Sequence, residues 1–140
     1  MSNSAICIDA SVVVDRIFRP QDARLGRSWD AWKSAARPLI APQLLTYEVT
    51  NVIYQRLKAG DIIVTEARKA MRITLLLPIR LFAPAELHEK AMEMARDLTL
   101  GATYDAHYLA LAWQEGAEFY TRDARLARAA QKYDWVRLLD

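Results

Sequence analysis

Short apolar runs alternate with longer segments of helical periodicity along almost the whole chain, and this alternation limits the folds open to it. Strands that alternate with helices over short connections form βαβ units, in which helices cover both faces of a parallel sheet. We therefore predict an α/β protein, a three-layer α/β/α sandwich around a central, mainly parallel sheet. The predicted strands are residues 5–8, 39–41, 80–82, 118–120 and 135–138.

Turn residues and capping residues place the predicted helices between these strands. Gly60 and Gly116 are typical residues for the end of a helix, and Thr103 is a typical residue for the start of one. Pro42 is compatible with a first helical turn, because its missing N–H has no partner there in any case. The predicted helices are residues 11–17, 24–36, 42–58, 65–77, 85–98, 103–115 and 124–132.

Composition indicates an ordinary globular chain. Its 140 residues predict one domain spanning 1–140, and 53% of them are hydrophobic and 26% charged. A single cysteine, Cys7, excludes an internal disulfide and fits a reducing compartment. The first five residues lack the basic start of a signal peptide, and the apolar run 73–79 is too short for a bilayer. We therefore expect a cytoplasmic protein with no membrane partner.

Two aspartates follow predicted strands, where ligands bind in open parallel sheets. Asp9 comes directly after the first strand, and Asp123 lies between the fourth strand and the last helix. Aspartate is also a favoured N-cap residue, and a turn from strand to helix is where such a cap belongs. Sequence position alone does not decide whether Asp9 and Asp123 cap helices or belong to a functional site.

Two further acids lie on predicted helices. Glu48 is in the middle of the long helix, and Asn51 follows it after nearly one turn. The pair fits either a solvated polar edge or a carboxylate oriented by an amide. Asp105 is in the first turn of an otherwise apolar helix, where it could interact with the helix dipole, although a buried carboxylate there would need a partner.

Four sequence stretches together resemble the PIN domain family, in particular the VapC-type toxins of prokaryotic toxin–antitoxin pairs. Each stretch is weakly specific alone, but all four occur in the family's order over nearly the whole chain. They are Ile8-Asp9-Ala10-Ser11, the stretch 41–51 around Glu48, the stretch 104–112 beginning Tyr104-Asp105, and Tyr120-Thr121-Arg122-Asp123-Ala124-Arg125-Leu126.

The resemblance implies that four carboxylates meet at one Mg²⁺ or Mn²⁺ site: Asp9, Glu48, Asp105 and Asp123. It implies that Ser11, Asn51 and Thr121 support this site, and that the protein hydrolyses RNA phosphodiester bonds. It also implies a homodimer and an antitoxin whose C-terminal segment covers the site. Clustered carboxylates repel one another, and a hard cation with oxygen ligands resolves that repulsion. Because no cysteine–histidine cluster is present, zinc is not expected.

Other side chains have weaker functional interpretations. Arg122, beside Asp123, is a candidate contact for substrate or partner. The basic residues 24, 27, 33 and 37 fit a solvated face better than a phosphate-binding rim. Trp29 and Trp32 fit core packing first and an interface second.

Three competing functions require residues that can be compared with this sequence. A receiver domain needs paired acids after the first strand and a lysine near the fifth strand, whereas this chain has Asp9-Ala10-Ser11 and no lysine in residues 135–140. A haloacid-dehalogenase-type phosphatase needs a second aspartate two positions after the first, where this chain has Ser11. A PIN-like module that binds RNA or protein without cleaving it remains open.

Overall fold

The five apolar runs form one sheet in the computed structural model, which describes residues 4–140. Every neighbouring pair of strands is parallel, and the strand order is β3-β2-β1-β4-β5. Residues 1–3, part of the stretch predicted to lack a targeting signal, lie outside the described range. The strands are β1 (Ile6–Ile8), β2 (Leu39–Pro42), β3 (Ile79–Phe82), β4 (Glu118–Thr121) and β5 (Val136–Leu138).

Seven helices connect the strands in the described part of the chain. The chain runs from β1 outward to β2 and β3, and then returns to β4 on the other side of β1. Because the crossover connections of parallel strands are right-handed, the first four helices cover one face of the sheet and the last three cover the other. The predicted three-layer α/β/α fold is confirmed. The helices are α1 (Ala10–Phe18), α2 (Ala23–Ser34), α3 (Leu44–Lys58), α4 (Val64–Leu76), α5 (Leu87–Asp97), α6 (Tyr104–Glu115) and α7 (Ala124–Ala129).

Some predicted helix ends were wrong. Pro42 does not begin α3; it is the last residue of β2 and pairs with Phe82, because a proline at a strand end loses little of the ladder. Thr103 precedes α6 but makes no side-chain capping bond. The glycine prediction holds at Gly116, which ends α6 with φ +62°, a left-handed conformation that favours glycine.

The core is built around β1 and α6. All three residues of β1 are fully buried, and the run of small and apolar residues from Tyr108 to Ala112 in α6 is fully buried as well. Small side chains let this helix lie close to the sheet, where Cys7 Sγ donates to the Tyr108 carbonyl oxygen at 3.6 Å. Trp29 and Trp32 are 8% and 5% exposed, so the prediction of core packing is confirmed.

The direction of the connections reverses between β1 and β4. The chain leaves β1 toward β2 and leaves β4 toward β5, so a crevice opens outside the carboxyl ends of these two central strands. Asp9 follows β1 and Asp123 follows β4, which places both acids at this crevice. In residues 4–140, none of the helices has the length and apolar character that crossing a bilayer would require.

Candidate active site

Asp9 is the buried anchor of the crevice. It is 5% exposed and occupies the N-cap position of α1, directly after β1. Its Oδ1 accepts hydrogen bonds from Ser11 Oγ at 2.5 Å and from the Val12 backbone N–H at 3.3 Å. Its Oδ2 accepts a hydrogen bond from Thr121 Oγ1 at 2.5 Å. Both carboxylate oxygens of Asp9 therefore have fixed donors inside the protein.

The two hydroxyl groups are themselves oriented by the turn after β4. Ser11 Oγ accepts from the Arg122 N–H at 2.9 Å, and Thr121 Oγ1 accepts from the Asp123 N–H at 3.0 Å. Because each hydroxyl oxygen accepts from the backbone, its own hydrogen is free to point at Asp9. Ser11 and Thr121 therefore both lie beside Asp9, and their support of a metal site stays a prediction.

Asp105 and Asp123 lie at the outer rim of the same crevice. Asp123 caps α7, where its Oδ1 accepts from the Arg125 N–H at 3.0 Å and from the Leu126 N–H at 3.3 Å. Asp105, in the first turn of α6, lies close enough to repel the negative charge of both Asp123 and Asp9. Asp123 therefore caps α7 through one oxygen and also belongs to the group of acids at the crevice.

Glu48 reaches the crevice from α3 and is fixed by a residue that the sequence reasoning missed. The hydroxyl of Tyr108 donates to Glu48 Oε1 at 2.5 Å, across 60 positions of sequence. Tyr108 is fully buried in α6, three residues after Asp105. A lone tyrosine in a stretch of alanine and leucine was the available signal, because a buried hydroxyl needs a hydrogen-bond partner.

Burial and repulsion between the acids raise the pKa values of Asp9, Asp105 and Glu48. Burial raises the pKa of Asp9 to about 6, although its hydrogen bonds with Ser11 and Thr121 act in the opposite direction. The pKa of Asp105 is raised by desolvation and then by the nearby Asp123. Desolvation and then repulsion from Asp105 also raise the pKa of Glu48, while the hydrogen bond from Tyr108 and the attraction of His107 lower it. Among residues 4–140, no lysine or arginine forms an ion pair with any of the four acids.

This donor set fits a hard divalent cation that keeps much of its water. In the described range, no group of three or more acidic, histidine or cysteine side chains is close enough together to hold a metal ion by itself. Mg²⁺ does not require one, because it commonly binds through one or two carboxylates and retains several waters. Within residues 4–140, acids that repel one another and form no ion pair with lysine or arginine supply the oxygen ligands and the negative charge that such an ion needs.

Two other predicted site residues have different surroundings. Asn51 is exposed on α3, and Glu48 takes its short hydrogen bond from Tyr108 instead. The guanidinium of Arg122 pairs with Asp15 at 3.0 Å and with Asp22 at 2.9 Å, and its side chain is 13% exposed. Arg122 therefore ties the turn after β4 to α1 and to the start of α2. Its contact with substrate or partner, and the supporting role of Asn51, stay predictions.

Comparison with known proteins assigns the chain to one family. The model of the PIN domain matches residues 6–132, which include all four acids. The chain belongs to the PIN domain family. Among curated proteins, no significant sequence match to this PIN domain is found.

Solved structures show the same PIN fold at low sequence identity. A toxin–antitoxin complex from Klebsiella pneumoniae matches with a TM-score of 0.67 and 17% identity over 98% of both chains. PAE2754 from Pyrobaculum aerophilum matches with a TM-score of 0.65 and 19% identity over 90% of this chain and 86% of that one. The sarcin–ricin loop cleaving toxin VapC20 of Mycobacterium tuberculosis matches with a TM-score of 0.62 and 21% identity, over 90% and 95% of the two chains.

Proposed function

We propose that this PIN domain is a metal-dependent endoribonuclease and the toxin of a toxin–antitoxin pair. The observation that carries the proposal is the fixed, buried carboxylate of Asp9, in a crevice where three more acids lie and where no lysine or arginine of residues 4–140 pairs with them. Such a site accepts a divalent cation and, through it, a phosphate. Among the similar structures, one is a toxin–antitoxin complex and another is a toxin that cleaves the sarcin–ricin loop.

The four acids would have different roles according to their positions in the crevice. Asp9, Asp105 and Asp123 would hold Mg²⁺ or Mn²⁺ or orient its water ligands. When bound, the ion supplies a polarised water and neutralises charge on the phosphate. Glu48 would bind the ion or accept the proton of the attacking water, with the Tyr108 hydroxyl holding its carboxylate in place.

The proposed reaction is hydrolysis of an RNA phosphodiester. The oxygen of water bonds to phosphorus, the bond from phosphorus to the 3′ oxygen breaks, and a proton passes to the leaving 3′ oxygen. The products are a 5′-phosphate and a 3′-hydroxyl end. The proposed setting is the cytoplasm, with the chain as a homodimer whose active sites are covered by an antitoxin.

Metal-dependent cleavage is the first test of this proposal. The purified chain should cleave a single-stranded RNA in millimolar Mg²⁺ or Mn²⁺ and not in excess EDTA, as followed on a denaturing gel. Mapping the product ends checks the chemistry, since ligation-ready 5′-phosphates are expected. Cleavage that persists in EDTA contradicts the mechanism, and binding of RNA without cleavage indicates the non-cleaving module instead.

Tyr108→Phe should weaken cleavage by acting through Glu48. The substitution removes the hydroxyl that holds Glu48 Oε1 and keeps the buried ring. Loss of a partner that orients a metal-site residue costs about 10- to 100-fold in metal affinity or activity. We expect a loss of that size in kcat/KM and a higher Mn²⁺ concentration for half-maximal activity.

The matched control for this variant is Tyr133→Phe. It also removes a tyrosine hydroxyl that donates to a carboxylate, that of Asp97, outside the acidic crevice. The control should keep the wild-type Mn²⁺ dependence. If both variants behave alike, Tyr108 does not position Glu48 for catalysis.

A further inference from the structure

We propose that a cavity beside the acidic centre binds one unpaired base of the RNA, next to the phosphate that is cleaved. The proposal rests on the proposed nuclease function and names a substrate subsite for it. The cavity has a volume of about 270 Å³. The residues that carry the argument are Pro42, Gln43, Tyr47, Phe82, His88 and His107.

The cavity lies at the same edge of the sheet as the acids. Pro42 and Phe82 are the last residues of β2 and β3, while the acidic centre lies at the carboxyl ends of β1 and β4. The two sites also share helices. In α3, Tyr47 of the cavity precedes Glu48, and in α6, His107 of the cavity follows two residues after Asp105. A strand of RNA lying along this edge can therefore contact both sites.

The walls present several rings to one small space. Tyr47 is 69% exposed, so its ring has no role in the core. The imidazoles of His88 and His107 meet edge to face with centroids 5.2 Å apart. Stacking on such rings is how proteins hold single-stranded bases, because every base offers a π face. The cavity thus has the surfaces that a base requires.

Polar atoms at the rim suit the edge of a base. His107 Nδ1 lies 2.7 Å from the Thr103 carbonyl oxygen, so Nδ1 carries the hydrogen and donates it. In the neutral pair, His107 Nε2 then accepts from His88 Nδ1 at 3.0 Å, which leaves His88 Nε2 as an acceptor. The exposed amide of Gln43 adds a donor and an acceptor.

Charge and size favour RNA over a protein segment. None of the described residues that line the cavity carries a carboxylate. The Arg80 guanidinium lies 4.6 Å from the centroid of the Phe82 ring, where it can attract the RNA backbone. The volume is slightly below the range of about 300–1,000 Å³ typical of sites for drug-sized ligands. It therefore suits one ring system, and a base paired in a duplex could not enter it.

The test compares Tyr47→Leu with Tyr54→Leu. Tyr54 lies two turns later on α3 and is 54% exposed, but it does not line the cavity. Both changes are made in an Asp9→Asn background to prevent cleavage. Fluorescence anisotropy then measures binding of a single-stranded RNA and of a series in which one abasic position moves along the strand.

Tyr47→Leu should weaken binding of the intact RNA about 5- to 150-fold, the loss of one stacked base, while Tyr54→Leu stays within about twofold. One abasic position should reproduce this loss, and combining it with Tyr47→Leu should add nothing, because both remove the same contact. Equal affinity of the two variants, additive losses or no measurable RNA binding would overturn the base subsite.

A cleavage assay with an intact Asp9 separates the two proposals. If the wild type cleaves RNA and Tyr47→Leu matches Tyr54→Leu in kcat/KM, the nuclease stands and the subsite fails. If the wild type does not cleave but the binding series shows the shared, non-additive loss, the base subsite stands and the nuclease proposal fails.

Discussion

Asp9→Asn is expected to reduce metal-dependent RNA cleavage by at least about 10³-fold, since the metal's stabilisation of the transition state is worth several kcal/mol. The substitution keeps the size of the side chain and removes its negative charge. The amide oxygen of the new side chain can still accept from one of the two hydroxyls that hold Asp9, so the backbone of the crevice should be retained. The measurement is kcat/KM in Mn²⁺ for both proteins.

Asp30→Asn is the matched control, because Asp30 is exposed on α2 and outside the crevice. It should cleave like the wild type. A circular dichroism melt of each variant establishes that loss of activity is not loss of fold. Wild-type activity in folded Asp9→Asn would remove this carboxylate from the proposed mechanism.

The second large effect is a pH-dependent loss of folding stability in the metal-free protein. Burial raises the pKa of Asp9 from 3.8 to about 6, so the folded state binds this proton more tightly than the unfolded chain does. Protonated Asp9 therefore adds to the free energy of unfolding below pH 4, and this contribution is lost as the pH rises through about 6. A shift of this size corresponds to about 3 kcal/mol of unfolding free energy.

Urea unfolding in EDTA between pH 4 and pH 7 measures this effect. Relative to the wild type, Asp9→Asn should gain up to about 3 kcal/mol at pH 7 and little at pH 4, because only the wild type must ionise a buried group. The difference between the two proteins isolates Asp9 from the other acids. Identical pH dependence in both would contradict the raised pKa.

Mn²⁺ should reverse this loss of folding stability at pH 7. A cation that binds the ionised crevice stabilises the folded state by about 2.7 kcal/mol at 100 times its Kd. We expect the wild type to melt at a higher temperature in Mn²⁺ and Asp9→Asn to gain much less. Equal gains would place the bound ion elsewhere on the protein.

Sequence alone determined the layers and the edge that carries the acids. The period of apolar residues specifies which segments are strands, and turn chemistry separates them, so β1 and β4 and the acids that follow them could be predicted. Helix ends depend on more than the local sequence. Pro42 fits a strand end and a first helical turn equally well, and only its pairing with Phe82 in the sheet decides between them.

Only the tertiary structure decided what holds each acid. The contact between Tyr108 and Glu48 and the contact between Thr121 and Asp9 join residues 60 and 112 positions apart, and no local periodicity specifies such pairs. The same is true of Arg122, whose ion pairs with Asp15 and Asp22 form because the turn after β4, helix α1 and the start of α2 meet at one place. Local pattern specifies which face of each element is buried, whereas packing of distant elements sets the partner, the burial and hence the pKa of each group in the crevice.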